Sequence, residues 1–243
     1  MYNQIKSLVK KIVPQEFLFK NELFLKKILI PFYAGKKYQC NICEKSWKEF
    51  ISLPDDDLLC PYCGSRSRTR RLFKLMHNEN AFQGNVLHFS PSRSLYRVYK
   101  KDNRFTYFST DFENQFLADF QWDITQIDIA DNTFDTIICY HILEHIEEDT
   151  KAMQELSRVL KPNGKCFIQT PFKTGKIYED YSITCKEDRL KAFGQEDHVR
   201  VYSENGLTDR LNNNGLKTKS LQFKDDRLPY GLLAESIIIA SPK

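Results

Sequence analysis

The sequence predicts an α/β protein, a doubly wound, mostly parallel seven-stranded sheet preceded by a small cysteine-anchored module. Three observations predict it. From residue 85 onward, short apolar runs alternate with helical patterns, as in parallel strands joined by crossover helices. Upstream, Cys40 and Cys43 form one Cys-x2-Cys pair, and Cys60 and Cys63 form a second after 16 intervening residues. The length of 243 residues suits one large domain plus a small module, at about 150 residues per domain. The expected division is a leader at 1–37, the cysteine module with a linker helix at 38–80, and the α/β domain at 81–243.

The leader comes first. Ile5, Leu8, Val9, Ile12 and Val13 recur at helical spacing, and Pro14 breaks the pattern. A second apolar-rich segment runs from Phe17 to Ile30. Eight lysines stand here against Glu16 and Glu22, a local excess of +6 in a chain whose net charge is +4. Such a face either packs on the protein with its lysines in water, which we favour, or makes peripheral contact with an anionic membrane through residues 1–30. The lysines interrupt every early apolar stretch, and no run approaches the roughly 20 apolar residues of a membrane span. The expected location is cytoplasmic. A hydrophobic fraction of 41% with 28% charged residues excludes a disordered tail, a collagen-like chain and a bare coiled coil.

Two Cys-x2-Cys pairs at this spacing match a zinc ribbon. Two residues between thiolates let the chain turn so that both sulfurs reach one ion at about 2.3 Å. With Cys40, Cys43, Cys60 and Cys63 as ligands the tetrahedron closes, so the Zn2+ is structural. A redox pair would need only one such motif. Behind the module, Arg66, Arg68, Arg70 and Arg71 lead into a helix through Leu72, Leu75 and Met76. These arginines either grip phosphates of a nucleic acid or form the solvated side of that helix.

The strands follow in order at Val86–Phe89, Phe105–Phe108, Phe120–Trp122, Thr136–Cys139, Cys166–Ile168, Lys217–Phe223 and Ser236–Ile239, with helices near 94–101, 149–160 and around Leu207 and Leu211. Ligands of such sheets bind beyond the carboxyl ends of the strands, where strand order reverses. This singles out Phe89, Ser90, Pro91 and Ser92 after the first strand, Asp111 after the second, Asp123 and Ile124 after the third, and Tyr140 and His141 after the fourth. Asp111 lies 21 residues after Ser90, the offset at which a carboxylate meets ribose hydroxyls; its alternative role is to cap a turn.

Asp123-Ile124-Thr125, Phe134-Asp135, His141-Ile142-Leu143-Glu144-His145 and Arg158-Val159-Leu160-Lys161-Pro162-Asn163-Gly164 occur in that order. Together they resemble a class I S-adenosylmethionine-dependent methyltransferase with a Rossmann-like fold, over about residues 84–241. The segments Tyr178-Glu179-Asp180 and Phe193–Arg200 are similar to members of that group that carry a four-cysteine module. The resemblance implies S-adenosylmethionine as cofactor, with Asp111 on the ribose, Asp123 and the Ile124 backbone at the adenine, and His141 beside the methionine part. The first loop departs from the family's glycine-rich pattern: His88-Phe89-Ser90-Pro91-Ser92-Arg93-Ser94 holds no glycine.

His141, Glu144 and His145 also spell the H-x-x-E-H of inverted zinc peptidases, but that site needs both histidines on one helix, and His141 follows a buried strand. His145 and His198 are the candidate catalytic side chains, His198 as a general base within the long connection 171–202. The expected acceptor is a small molecule or glycan precursor. The alternatives are an RNA methyltransferase gripping its substrate through the zinc module and Arg66–Arg71, and a non-catalytic binding protein with a degenerate cofactor loop.

Overall fold

Residues of alternating face build the centre of the molecule, and they sort into two interiors. A computed structural model describes residues 15–243, with side chains from Asn21 onward. The helix expected through Ile5, Leu8, Val9, Ile12 and Val13, with its break at Pro14, lies outside the described residues.

Helix α1 (Gln15–Lys26) passes through a tight turn at Lys27–Leu29 into the single-turn α2 (Ile30–Tyr33). Glu22 ties α1 to the protein, accepting from Arg97 at 2.8 Å, while Phe24, Ile28 and Phe32 stay exposed. Two small antiparallel hairpins follow: β1 (Ala34–Gln39) with β2 (Ser46–Trp47), and β3 (Ile51–Ser52) with β4 (Leu58–Leu59). Helix α3 (Ser67–Asn78) leads into the α/β region.

That region consists of β5 (Gly84–Phe89), α4 (Arg93–Tyr99), β6 (Phe105–Thr110), β7 (Phe134–Tyr140), α5 (Asp149–Val159), β8 (Leu160–Gln169), β9 (Tyr178–Glu179), α6 (Lys186–Phe193), β10 (Arg200–Val201), α7 (Glu204–Asn213), β11 (Leu216–Phe223) and β12 (Glu235–Pro242). The main sheet runs β11-β12-β8-β7-β5-β6. Strands β6, β5, β7 and β8 are parallel, and β12 is antiparallel to both its neighbours. Strand order therefore reverses between β5 and β7, the Rossmann-like switch point.

The sheet has six strands, where the sequence pattern predicts seven. The segment Phe120–Trp122 makes only one bridge, to Thr110. Phe120 N donates to Ser109 O, but Trp122 N turns to the Thr110 hydroxyl, so the ladder ends. Stacking of Phe120 on Trp122, at 4.4 Å between ring centres, and of both on Phe108 holds the segment instead. Aromatic alternation mimics a strand here because both rings face the same side.

One face of the sheet, with Leu87, Ile137, Cys139 and Ile168, packs on Met153 and Leu156 of α5 and Leu207 and Leu211 of α7. The opposite residues Val86, Ile138, Phe167 and Ile237 pack on Leu72, Leu75 and Met76 of α3 and share that interior with Trp47, Phe50, Cys40 and Cys60 of the cysteine module. The module thus closes the second face. No helix of the described residues is long and apolar enough to cross a membrane.

Candidate functional site

The two cysteine turns are built alike. Cys40 and Cys60 each accept from the amide four residues on, of Glu44 and Gly64, and each donates its own amide five residues on, to Lys45 O and Ser65 O. Glu44 and Gly64 take the same left-handed backbone, with φ of 60° and 74°. The turns bring all four sulfurs within 4.8 Å of one another, with Cys40–Cys63 at 3.6 Å and Cys43–Cys60 at 3.7 Å. Four zinc–sulfur bonds of about 2.3 Å make a tetrahedron with edges of about 3.8 Å, so these residues fit Zn2+. Of the other cysteines, Cys139 and Cys166 are buried and burial pushes both thiols up, which leaves them inert.

The arginine run turns inward. Arg70 is fully buried; it donates to the carbonyls of Ser65, Leu58, Tyr230 and Gly231 and lies 4.0 Å over the Phe50 ring. A Cβ on Gly231, at φ +62°, would meet Phe50 at 2.5 Å, so only glycine lets this carbonyl reach the guanidinium. A zinc held by four thiolates carries a net charge of −2, and Arg70 sets a buried positive charge beside it. Arg71, also buried, donates to Lys224 O and Leu233 O and lies 3.2 Å from Glu235, while Arg66 pairs with Asp55 and Asp57. Neither reading of the run as a phosphate grip or as a solvated helix side describes Arg70 and Arg71. Arg68 alone makes no hydrogen bond or ion pair among the described residues.

At the switch point, two strand tips carry backbone that side chains rarely adopt. Ser90, after β5, has φ +42°, and His141, after β7, has φ +55°. Ser90 takes the left-handed conformation that glycine supplies elsewhere, at a steric cost on the order of 1–2 kcal/mol. Its hydroxyl donates to Asp111 at 2.6 Å, joining the tips of β5 and β6. The other Asp111 oxygen accepts from the amides of Gln115 and Phe116, so the carboxylate is buried and caps a turn. Phe89 and Ile124 are buried, Pro91 starts the turn into α4, and the Ser92 side chain caps that helix. One Asp123 oxygen holds the Thr125 amide and hydroxyl, each at 2.8 Å. His88 stands at the loop's entry, buried against the Tyr107 hydroxyl at 3.1 Å, and burial lowers its pKa to about 3.

Beyond His141 the chain makes a single 3-10 turn at Leu143–His145, so His141 and His145 do not share a helix as the peptidase motif requires. The turn instead brings Glu144 and His145 to His198, with one ligand atom from each within 4.8 Å of the others. The rings of His145 and His198 meet edge to face at 4.7 Å. Around them, Tyr140 Oη, His141 Nε2, Glu144 Oε2, Gln169 Oε1, Thr170 Oγ1 and His198 Nε2 are buried without a hydrogen-bond partner. Buried polar atoms are normally satisfied, so their concentration at one sheet edge marks a place built to receive a ligand. Burial lowers the His141 and His198 pKa values, keeping both rings neutral.

Comparison with known proteins agrees with this geometry. The Methyltransferase domain family matches residues 71–168. The matched stretch runs from α3 to β8, the part of the sheet that holds the switch point. Over 85 residues it is 33% identical to an uncharacterized protein of Methanocaldococcus jannaschii, covering 33% of this chain and 37% of that protein. Over 87 residues it is 32% identical to a ubiquinone biosynthesis O-methyltransferase of Colwellia psychrerythraea, covering 35% of each. The match thus spans little more than a third of these relatives' lengths. An S-adenosylmethionine-dependent methyltransferase from Archaeoglobus fulgidus shares the fold, with a TM-score of 0.50, 11% identity, and coverage of 71% of this chain and 94% of that one.

The residues after β5, β6 and β7 lie at the switch point, and two further neighbours, Glu235 and Thr170, were not foreseen from the sequence. Glu235 opens β12, whose reversed direction carries its first residue to the tips of the parallel strands. Burial raises the Glu235 carboxyl to about 7 against the pull of Arg71 and Arg68. Tyr140 and Thr170 end β7 and follow β8 at the same edge. An antiparallel final strand is the signal that would have pointed to Glu235. Glu179, within the connection 171–202, is held by Arg210 and Arg200 in a structural ion network.

Proposed function

We propose that the protein transfers a methyl group from S-adenosylmethionine to a small-molecule or glycan-type acceptor, with zinc bracing the fold. The observation that carries this is the paired left-handed backbone of Ser90 and His141 at the switch point, flanked by buried polar atoms that lack partners. Phe89, Ser90 and Pro91 would line the cofactor, Asp111 would meet the ribose, Asp123 and the Ile124 backbone would read the adenine, and His141 would lie against the methionine end. When bound, the cofactor supplies an electrophilic methyl on a sulfonium. The chain's own task is to align the acceptor in line with that methyl and exclude water. Neutral His141 brings no cation to repel a sulfonium. His145 and His198 face the acceptor side.

Asp111 is already engaged by Ser90, Gln115 and Phe116, so a sugar would share a carboxylate held rigidly in place. The arginine run supports the RNA alternative poorly, because Arg70 and Arg71 are spent on internal carbonyls. Seven free cysteines, four of them clustered as zinc would need, suit the reducing cytoplasm. Calorimetry with S-adenosylmethionine tests the reading. The wild type should bind, and Asp111→Ala should weaken binding roughly tenfold or more, the worth of hydrogen bonds to a charged group. No binding by the folded wild type would defeat it.

A further inference from the structure

We propose that Glu144, His145 and His198 form a second metal site, holding one divalent transition-metal cation of zinc type with a coordination position left open toward the acceptor. The site itself stands on geometry alone; its role in the reaction rests on the methyl-transfer reading.

Two imidazoles and a carboxylate are the ligand set of open, reactive zinc sites, whereas four cysteines make closed ones. The Glu144 side chain is 1% exposed, and its buried Oε2 has no partner. His198 is 3% exposed, and its Nε2 has no partner. His145 Nδ1 lies 3.3 Å from the Asp197 carbonyl, leaving Nε2 to the cluster. Metal-binding histidines are held in this way, the outer nitrogen fixed by a carbonyl so that the inner one presents its lone pair. His141 Nδ1 pairs with Glu144 Oε1 at 3.2 Å, which orients the carboxylate and leaves Oε2 free to ligate.

The frame is rigid. Val199 N donates to Glu144 O at 2.9 Å, and the fully buried Arg200 donates to the carbonyls of Leu143, Ile146 and Glu147. The three ligands are therefore placed before any ion arrives. An acceptor hydroxyl docking at the open position would lose its proton to bulk water at lower pH than it does free. Its oxygen would then form the new bond to the methyl carbon, while the carbon–sulfur bond breaks and its electron pair stays on sulfur, leaving a neutral thioether.

Cobalt titration of the whole protein tests the site. The first equivalent should give the intense thiolate-to-metal absorption of the cysteine site. A second should bind with only weak d–d bands and no added thiolate band. Glu144→Gln and His198→Ala should each lose the second equivalent and keep the first, with unchanged circular dichroism. As a variant-free measure, zinc-loaded wild type in a calorimeter should take up a second equivalent of Zn2+. Saturation of wild type at one equivalent by both methods would overturn the proposal, as would variants that still bind two. Binding of S-adenosylmethionine is measured separately: its loss with two metals retained would sink the methyl-transfer reading and leave the site, and the reverse would sink the site alone.

Discussion

Arg70 shows how much one side chain can decide. Its guanidinium reaches four carbonyls and the face of Phe50 from a position with no exposure. Arg70→Ala would leave those carbonyls unmet and the four clustered cysteines without a neighbouring positive charge. We expect a loss of about 3–5 kcal/mol, read from urea denaturation, and no rescue by Arg70→Lys, which lacks the planar fork. His88 sets an acid limit. Its folded pKa of about 3 lies below the ordinary 6.5, so between those values the unfolded chain binds the extra proton. Stability from this residue is full above pH 6.5 and drains as pH falls toward 3. Glu179 acts in the same direction. Hydrogen bonds from Arg210, and then Arg200, pull its carboxyl down to about 2, so its contribution is present above about pH 4.5 and fades from there to 2. Urea midpoints should therefore fall progressively from pH 6.5 downward, and His88→Gln should flatten the upper part of that fall. The arginine run illustrates what single residues conceal. Four arginines read identically whether they face water, phosphate or distant carbonyls, and the carbonyls that settle it arrive some 160 residues later.

Elements were more legible than their partners. Strands β5, β7 and β8 announce themselves as apolar runs because both their faces are covered, and α5 and α7 by leucines at helical spacing. Leu156, fully buried between α5 and the sheet, is such a position; Leu156→Ala should cost about 2–5 kcal/mol by thermal or urea unfolding. Phe120–Trp122 misleads because aromatic stacking and strand pairing leave the same alternation in sequence. Only the amide of Trp122, turned to a side-chain oxygen, separates the two. The switch-point residues were legible from strand order alone. The convergence of His198 on Glu144 was not, since it depends on how the connection 171–202 folds back through β10 and Arg200, which no local pattern encodes.

At the scale of the whole molecule, the cysteine turns and the six-stranded sheet share one apolar interior running from Trp47 through Leu72 to Ile237. Metal loss should therefore be felt everywhere. Treatment with a chelator and a mild thiol reagent is expected to lower the melting temperature of a single cooperative transition. Two separated transitions in calorimetry would show instead that the module melts alone.

The reach of Arg70 also bears on how the chain is made. A ribosome that has emitted the metal-binding turns has not yet synthesised Tyr230 and Gly231, so the guanidinium must wait through most of translation for two of its acceptors. Stalled nascent chains ending before residue 230 should stay open to protease around the turns, even with zinc supplied, and become resistant once the remaining residues emerge.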